Sequence, residues 1–187
     1  RSLAVALTVF LLVAGGPVSA QYVTWYDDGS AEIKTTDGEV IRFRPGELGT
    51  LFGPGKQPFK GKRIAVTVNA GGPRGGISGP LFALRPAWEE LTGATLEIVE
   101  IPIGEHYTKV MTDLRLGIGQ YDGFMVGAFW YGDLIAGDFI VPIDDYMKDP
   151  RFPKWDPDSM PPSLRTLHTW GGKWYGTLND SDGQVFY

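Results

Sequence analysis

The stretch Arg63-Ile64-Ala65-Val66-Thr67-Val68 opens the segment that decides the fold. It is short, nearly continuously apolar and bounded by turn residues, as a strand buried on both faces of a parallel sheet should be. Beyond it Leu81, Leu84, Trp88 and Leu91 recur at helical spacing, with Gly93 as the stop. Pro86 interrupts that pattern, so the helix is predicted either to kink there or to start near Arg85 with Pro86 in its first turn. Residues 95–101 read as a second strand. Tyr107, Val110, Met111, Leu114 and Ile118 then mark a second amphipathic helix, with Lys109, Thr112, Asp113 and Arg115 on its wet side. A third strand follows over residues 121–126. Strand, helix, strand, helix, strand with right-handed crossovers is the βαβαβ unit of a doubly wound α/β sheet.

Upstream, residues 21–61 have a different texture. Tyr22-Val23-Thr24-Trp25-Tyr26 alternates bulky β-formers, Asp27-Asp28-Gly29 signals a turn, residues 32–36 alternate again, Asp37-Gly38 turns and residues 39–44 make a third short strand. This predicts a β-hairpin extension or small meander, and the Gly and Pro density of residues 45–61 predicts a linker or extended crossover. Residues 1–20 carry one charge, Arg1, then an apolar run over residues 3–14 and the small residues Val18-Ser19-Ala20. That order reads as a secretory signal peptide cleaved after Ala20, the other reading being an uncleaved anchor, and either one sends the chain out of the cytoplasm. At the other end the apolar run Val185-Phe186-Tyr187 reads as a cut through a strand, so the sequence is taken as a fragment.

The chain has no cysteine, which removes disulfides, thiolate metal sites and a lipid-attachment cysteine. A net charge of -5 gives no basic surface for nucleic acid. With 6 Trp, 8 Tyr and 10 Phe, some rings are available to face a ligand.

In a doubly wound sheet ligands lie beyond the carboxyl ends of the strands, and two loops qualify. The first begins Asn69, Ala70, Gly71, Gly72 and runs through Arg74 to Gly79; its glycines let backbone N–H groups approach a hydroxyl, carboxylate or phosphate, or else make a plain flexible connection. It has neither the Lys-Ser/Thr ending of a nucleotide loop nor the dinucleotide fingerprint. The second places Ala128, Phe129, Trp130 and Tyr131 directly after a buried strand, beside Asp133. Sugars present apolar C–H faces that stack on such rings, Trp130 first among them, while ordinary packing accounts for at least one ring. Farther on, Thr169-Trp170-Gly171-Gly172-Lys173-Trp174 reads as a hairpin, followed by the polar stretch Asn179-Asp180-Ser181-Asp182, either a set of hydroxyl acceptors or a solvated turn.

Nothing points to catalysis, a metal or a cofactor. His106 and His168 stand far apart and read as surface or satisfied structural residues, and the adjacent carboxylates Glu89-Glu90 and Asp144-Asp145 do not share a helix face. No Gly-x-Ser-x-Gly elbow or His-Glu-x-x-His helix is present.

The string Tyr121-Asp122-Gly123-Phe124-Met125-Val126, then Trp130, Asp133-Leu134-Ile135-Ala136 and Phe139-Ile140-Val141-Pro142-Ile143-Asp144-Asp145-Tyr146, resembles a pattern of the solute-binding proteins of ABC importers. Gly172-Lys173-Trp174-Tyr175-Gly176, leading through Asp182 to Val185-Phe186-Tyr187, is similar to a second pattern of that family, in the same order. Asp138 stands where the family usually has Gly, Leu178 stands near a usual Pro, and residues 21–61 have no counterpart in it. The resemblance implies a bilobal periplasmic-binding-protein-like fold with residues 62–187 as lobe I and a second lobe missing. It further implies a monomeric, non-enzymatic periplasmic or extracellular protein that captures a solute for an ABC transporter permease. The ligand loops map to Asn69, Ala70, Gly71 and Gly72 and to Ala128, Phe129, Trp130 and Tyr131, with Asp180 or Asp182 as the acidic cleft position. Ring chemistry adds that the solute is a sugar or oligosaccharide. An organic anion or polyamine is the alternative ligand, and an exported polysaccharide hydrolase or an adhesive surface protein the alternative class.

Overall fold

The computed structural model describes Val18–Ser19 and residues 21–179, so most of the signal-peptide reading, together with Asp180 and Asp182, lies outside the described residues. The chain first makes an antiparallel sheet in the order β1 (Val18–Ser19), β2 (Val23–Trp25), β3 (Ala31–Lys34), β4 (Val40–Phe43). β2, β3 and β4 lie where the alternation and the turns predict them, whereas β1 falls in the small-residue stretch read as the signal's cleavage region. β5 (Arg63–Asn69), α1 (Gly79–Thr92), β6 (Thr95–Ile101), α2 (Ile103–Leu116) and β7 (Gly123–Phe124) then build a parallel sheet in the order β6-β5-β7. The direction of travel reverses at β6, and with right-handed crossovers that puts α1 and α2 on opposite faces. Short helices α3 (Tyr131–Ala136), α4 (Asp144–Lys148) and α5 (Pro162–Leu167) lead to the hairpin β8 (Thr169–Trp170) and β9 (Lys173–Trp174). Its Gly171 and Gly172 both have positive φ, at 58° and 77°, as a two-residue turn of that hand requires.

β5 is central because all seven of its residues pair with β6 and its middle pairs with β7. Ala65, Thr67 and Val68 are buried there. β7 is shorter than residues 121–126 predict, but bonds from the Asp122 N–H to the Ala65 carbonyl and from the Met125 N–H to the Thr67 carbonyl continue its pairing at 2.8 Å each. The Asp122 carboxylate in turn accepts from the Ala65 N–H at 2.8 Å.

α1 is continuous through Pro86 instead of starting at it, with Pro80 in its first turn. Pro86 offers no N–H to the Phe82 carbonyl four residues back, and the next carbonyl, that of Ala83, accepts from the Thr36 N–H just beyond β3 at 3.0 Å. The buried side of the helix is centred on Ala87 and Leu91, which pack with Val23, Ala31, Ile33, Leu48 and Phe52, whereas Leu84 is exposed. Residues 45–61, whose Gly and Pro content predicts a linker, therefore contribute two core side chains. They are braced on the far side by bonds from Thr50 and Leu51 N–H to the Pro150 and Arg151 carbonyls at 3.1 and 3.0 Å.

Glu89 and Glu90 face different ways, as neighbours on a helix must. Glu90 accepts the Tyr22 and Val23 N–H groups at 3.0 and 2.8 Å, tying α1 to β2. Glu89 accepts the Leu96 N–H at 2.8 Å, tying it to β6. In α2, Asp113 is buried, not wet as its position predicts, because it accepts the Gln120 N–H at 2.9 Å and closes the turn that follows the helix.

Two stability measurements test this packing. Glu90→Ala should cost about 2 kcal/mol in urea denaturation, since it orphans two donors held by a charged acceptor, while Glu97→Ala, which removes the exposed ion pair with Arg63, should cost under about 0.5 kcal/mol. Asp138 has φ 53°, the left-handed region, so Asp138→Gly should raise stability by about 0.5 kcal/mol and Asp138→Val should lower it.

Candidate ligand-binding site at the carboxyl edge of the parallel sheet

Three parallel strands end on one edge, so the loops after β5, β6 and β7 emerge side by side. Sequence reasoning named the first and third. The second, where the end of β6 with Glu100 passes through Pro102 to Ile103 at the start of α2, belongs with them by the same topological rule and supplies much of the polar wiring.

His106, in the first turns of α2, is completely buried. Its Nδ1 lies 2.6 Å from Asn69 Oδ1 at the end of β5, and its Nε2 lies 2.9 Å from Thr67 Oγ1, itself fully buried. Its ring meets Trp130 edge to face, with centroids 5.4 Å apart and planes at 86°. One imidazole thus touches a residue from each predicted loop. Trp130 is half-buried and also meets Tyr107 at 5.1 Å and Phe129 at 5.9 Å. The Tyr107 hydroxyl donates to the Asp133 carboxylate, which raises the Tyr107 pKa.

The glycine loop is organised from within. One oxygen of Glu100 accepts both the Gly71 and Gly72 N–H groups, at 2.9 and 2.6 Å, and those bonds hold its carboxyl below the usual range. Ser78 Oγ donates to the Gly72 carbonyl at 2.7 Å. A Cβ on Gly75 would sit 2.4 Å from Ser78 Oγ and 2.8 Å from Gly71 Cα, so close packing accounts for that glycine. Asn179 donates to the Ile77 carbonyl of this loop at 3.2 Å.

Of the predicted residues, Asn69, Ala70, Gly71, Gly72, Ala128, Phe129 and Trp130 lie along this edge, where Phe129 is 85% and Ile103 75% exposed. Tyr131 turns away. It packs with Met111 and Leu134, and its hydroxyl lies 2.9 Å from His168 Nδ1. Two clefts of about 240 and 290 Å³ open elsewhere, against the antiparallel sheet, where Trp25, Gly53 and Lys56 line both. Neither includes a residue of the carboxyl edge, whose convergent loops and buried polar wiring make it the better candidate.

No family model matches the chain, and no curated protein matches it. Among the solved structures with a partial likeness to this chain is a binding protein. That protein is an ABC transporter solute-binding protein from Agrobacterium radiobacter K84, crystallised in complex with ribitol. The identity is 22%, the TM-score 0.44, and the superposed part covers 49% of this chain but only 22% of the other. This chain therefore spans about a fifth of that protein's length.

Burial lowers the pKa of both His106 and His168 from the usual 6.5. A folded-state value below the unfolded one means that their contribution is complete above pH 6.5 and is lost as pH falls through that value toward the folded pKa. The melting temperature should accordingly drop between pH 7.5 and 5, and His106→Asn should flatten that slope.

Proposed function

We propose that the chain is lobe I of an exported solute-binding protein that captures a small neutral, oxygen-rich solute, a sugar or polyol, for an ABC transporter permease. In this reading residues 1–20 are the export signal, residues 62–187 form the lobe and residues 21–61 are an extension fastened onto it through α1. The observation that carries the reading is His106, which holds Asn69 on one loop and Trp130 on the other so that both loops make one surface. Aromatic rings on that surface suit the C–H faces of a sugar, and backbone and amide groups suit its hydroxyls. A second lobe outside this sequence would close over the ligand by hinge bending, and the permease would read the closed form.

Charge favours a neutral solute over an organic anion. The N–H pair of Gly71 and Gly72, the natural anion cradle of the loop, is already occupied by Glu100, and Asp133 adds a second carboxylate nearby.

A thermal-shift screen of the exported protein against ribitol, xylitol, mono- and oligosaccharides, organic acids and polyamines tests this. A ligand at a hundred times its Kd should stabilise by about 2.7 kcal/mol. Trp130→Ala should weaken binding at least tenfold, about 1.4 kcal/mol, while Tyr131→Phe should leave it unchanged. No shift with any sugar or polyol would sink the proposal, as would one indifferent to Trp130→Ala.

A further inference from the structure

We infer that His106 is a positioning residue that locks the Asn69 side chain with its NH₂ group facing the carboxyl edge, so that the site offers hydrogen-bond donors there and selects ligand oxygens that accept. The inference rests on the carboxyl edge being the ligand site, but its physical core does not.

A buried chain of three side chains, Thr67, His106 and Asn69, admits two hydrogen-bond directions. In one, the Thr67 hydroxyl donates to Nε2 and the Nδ1–H donates to Asn69 Oδ1; every buried polar hydrogen then has an acceptor. In the other, Nε2–H donates to Thr67 Oγ1 and Nδ1 accepts from an inverted Asn69 amide. Thr67 has 0% exposure and no other side-chain partner among the described residues, so its hydroxyl hydrogen would then be stranded inside the sheet. Stranding a buried donor is the costly outcome, and the first direction prevails. A doubly protonated His106 would strand the same hydrogen.

With Oδ1 committed to His106, the Nδ2 of Asn69 has no partner among the described residues, and Asn69 is half-buried at the very end of β5. Two N–H donors are left for the edge. Hydroxyl and carbonyl oxygens satisfy them. Ammonium groups do not, and this weighs against a polyamine, while Glu100 near the end of the adjacent strand β6 weighs against an anion.

Long-range ¹H–¹⁵N NMR of the uniformly labelled full chain at pH 7 reads the tautomer directly, with His106→Asn used only to assign the two histidines. The expected result is a pyrrole-type Nδ1 and a pyridine-type Nε2 on His106. The opposite pattern, or an imidazolium, would overturn the inference. Asn69→Asp keeps the acceptor and removes the donors, so it should preserve the tautomer, raise the His106 pKa and abolish any ribitol-induced thermal shift. A lost tautomer in Asn69→Asp, or ribitol binding undiminished in it, would also count against the inference. Absence of ribitol binding in the unaltered protein would defeat the ligand-site reading alone and leave the tautomer result to decide the orientation of Asn69.

Discussion

Helix α1 is shared between two sheets, and this double obligation sets the arrangement of everything around it. Its Ala87 and Leu91 are buried by the antiparallel sheet, while its two consecutive glutamates take backbone N–H groups from β2 on one side and β6 on the other. Strand ends are where ladder donors run out, and a carboxylate placed there does the work of another strand. Pro86 fits the same plan. A proline in the helix interior costs about 3 kcal/mol in isolation; it gives the Phe82 carbonyl no helical donor, while the adjacent Ala83 carbonyl joins the helix to the antiparallel sheet through the Thr36 N–H.

The carboxyl edge depends on that platform in a simple way. β5 can hold Asn69 at a fixed height only because it is paired along its whole length with β6 and is flanked by β7. His106 then converts backbone register into side-chain geometry, since an imidazole bonded to positions 67 and 69 of one strand has little rotational freedom left. Trp130 rests on that ring and on Tyr107, so the aromatic surface inherits its position from the sheet rather than from its own loop.

Much of this was legible in the sequence. The apolar run 63–68, the helical spacing from Val110 to Leu114 and the Gly-Gly hairpin each carry their geometry locally, and the strands and turns appear where these patterns put them. What escaped depends on contacts distant in the chain. Leu48 and Phe52 look like isolated apolar residues in a Gly/Pro-rich linker until α1 is there to receive them. Asp113 reads as solvent-facing from helical phase alone, because its partner is the N–H of Gln120 in the turn beyond the helix. His106 reads as a surface or satisfied structural residue, of which the second holds, yet nothing local to it announces Asn69 and Thr67, 37 and 39 residues away. Applying the strand-end rule to β6 as well as to β5 and β7 would have drawn attention to Glu100 and to the start of α2.

The carboxylate of Glu100 makes the glycine loop carry its own counter-ion. A loop of that kind does not wait on sulfate, phosphate or chloride from its surroundings to become ordered, and its shape is separated from the ionic make-up of the medium. Because the two N–H bonds hold the carboxyl below its ordinary range, that internal ion keeps its charge into more acid conditions than a free glutamate would.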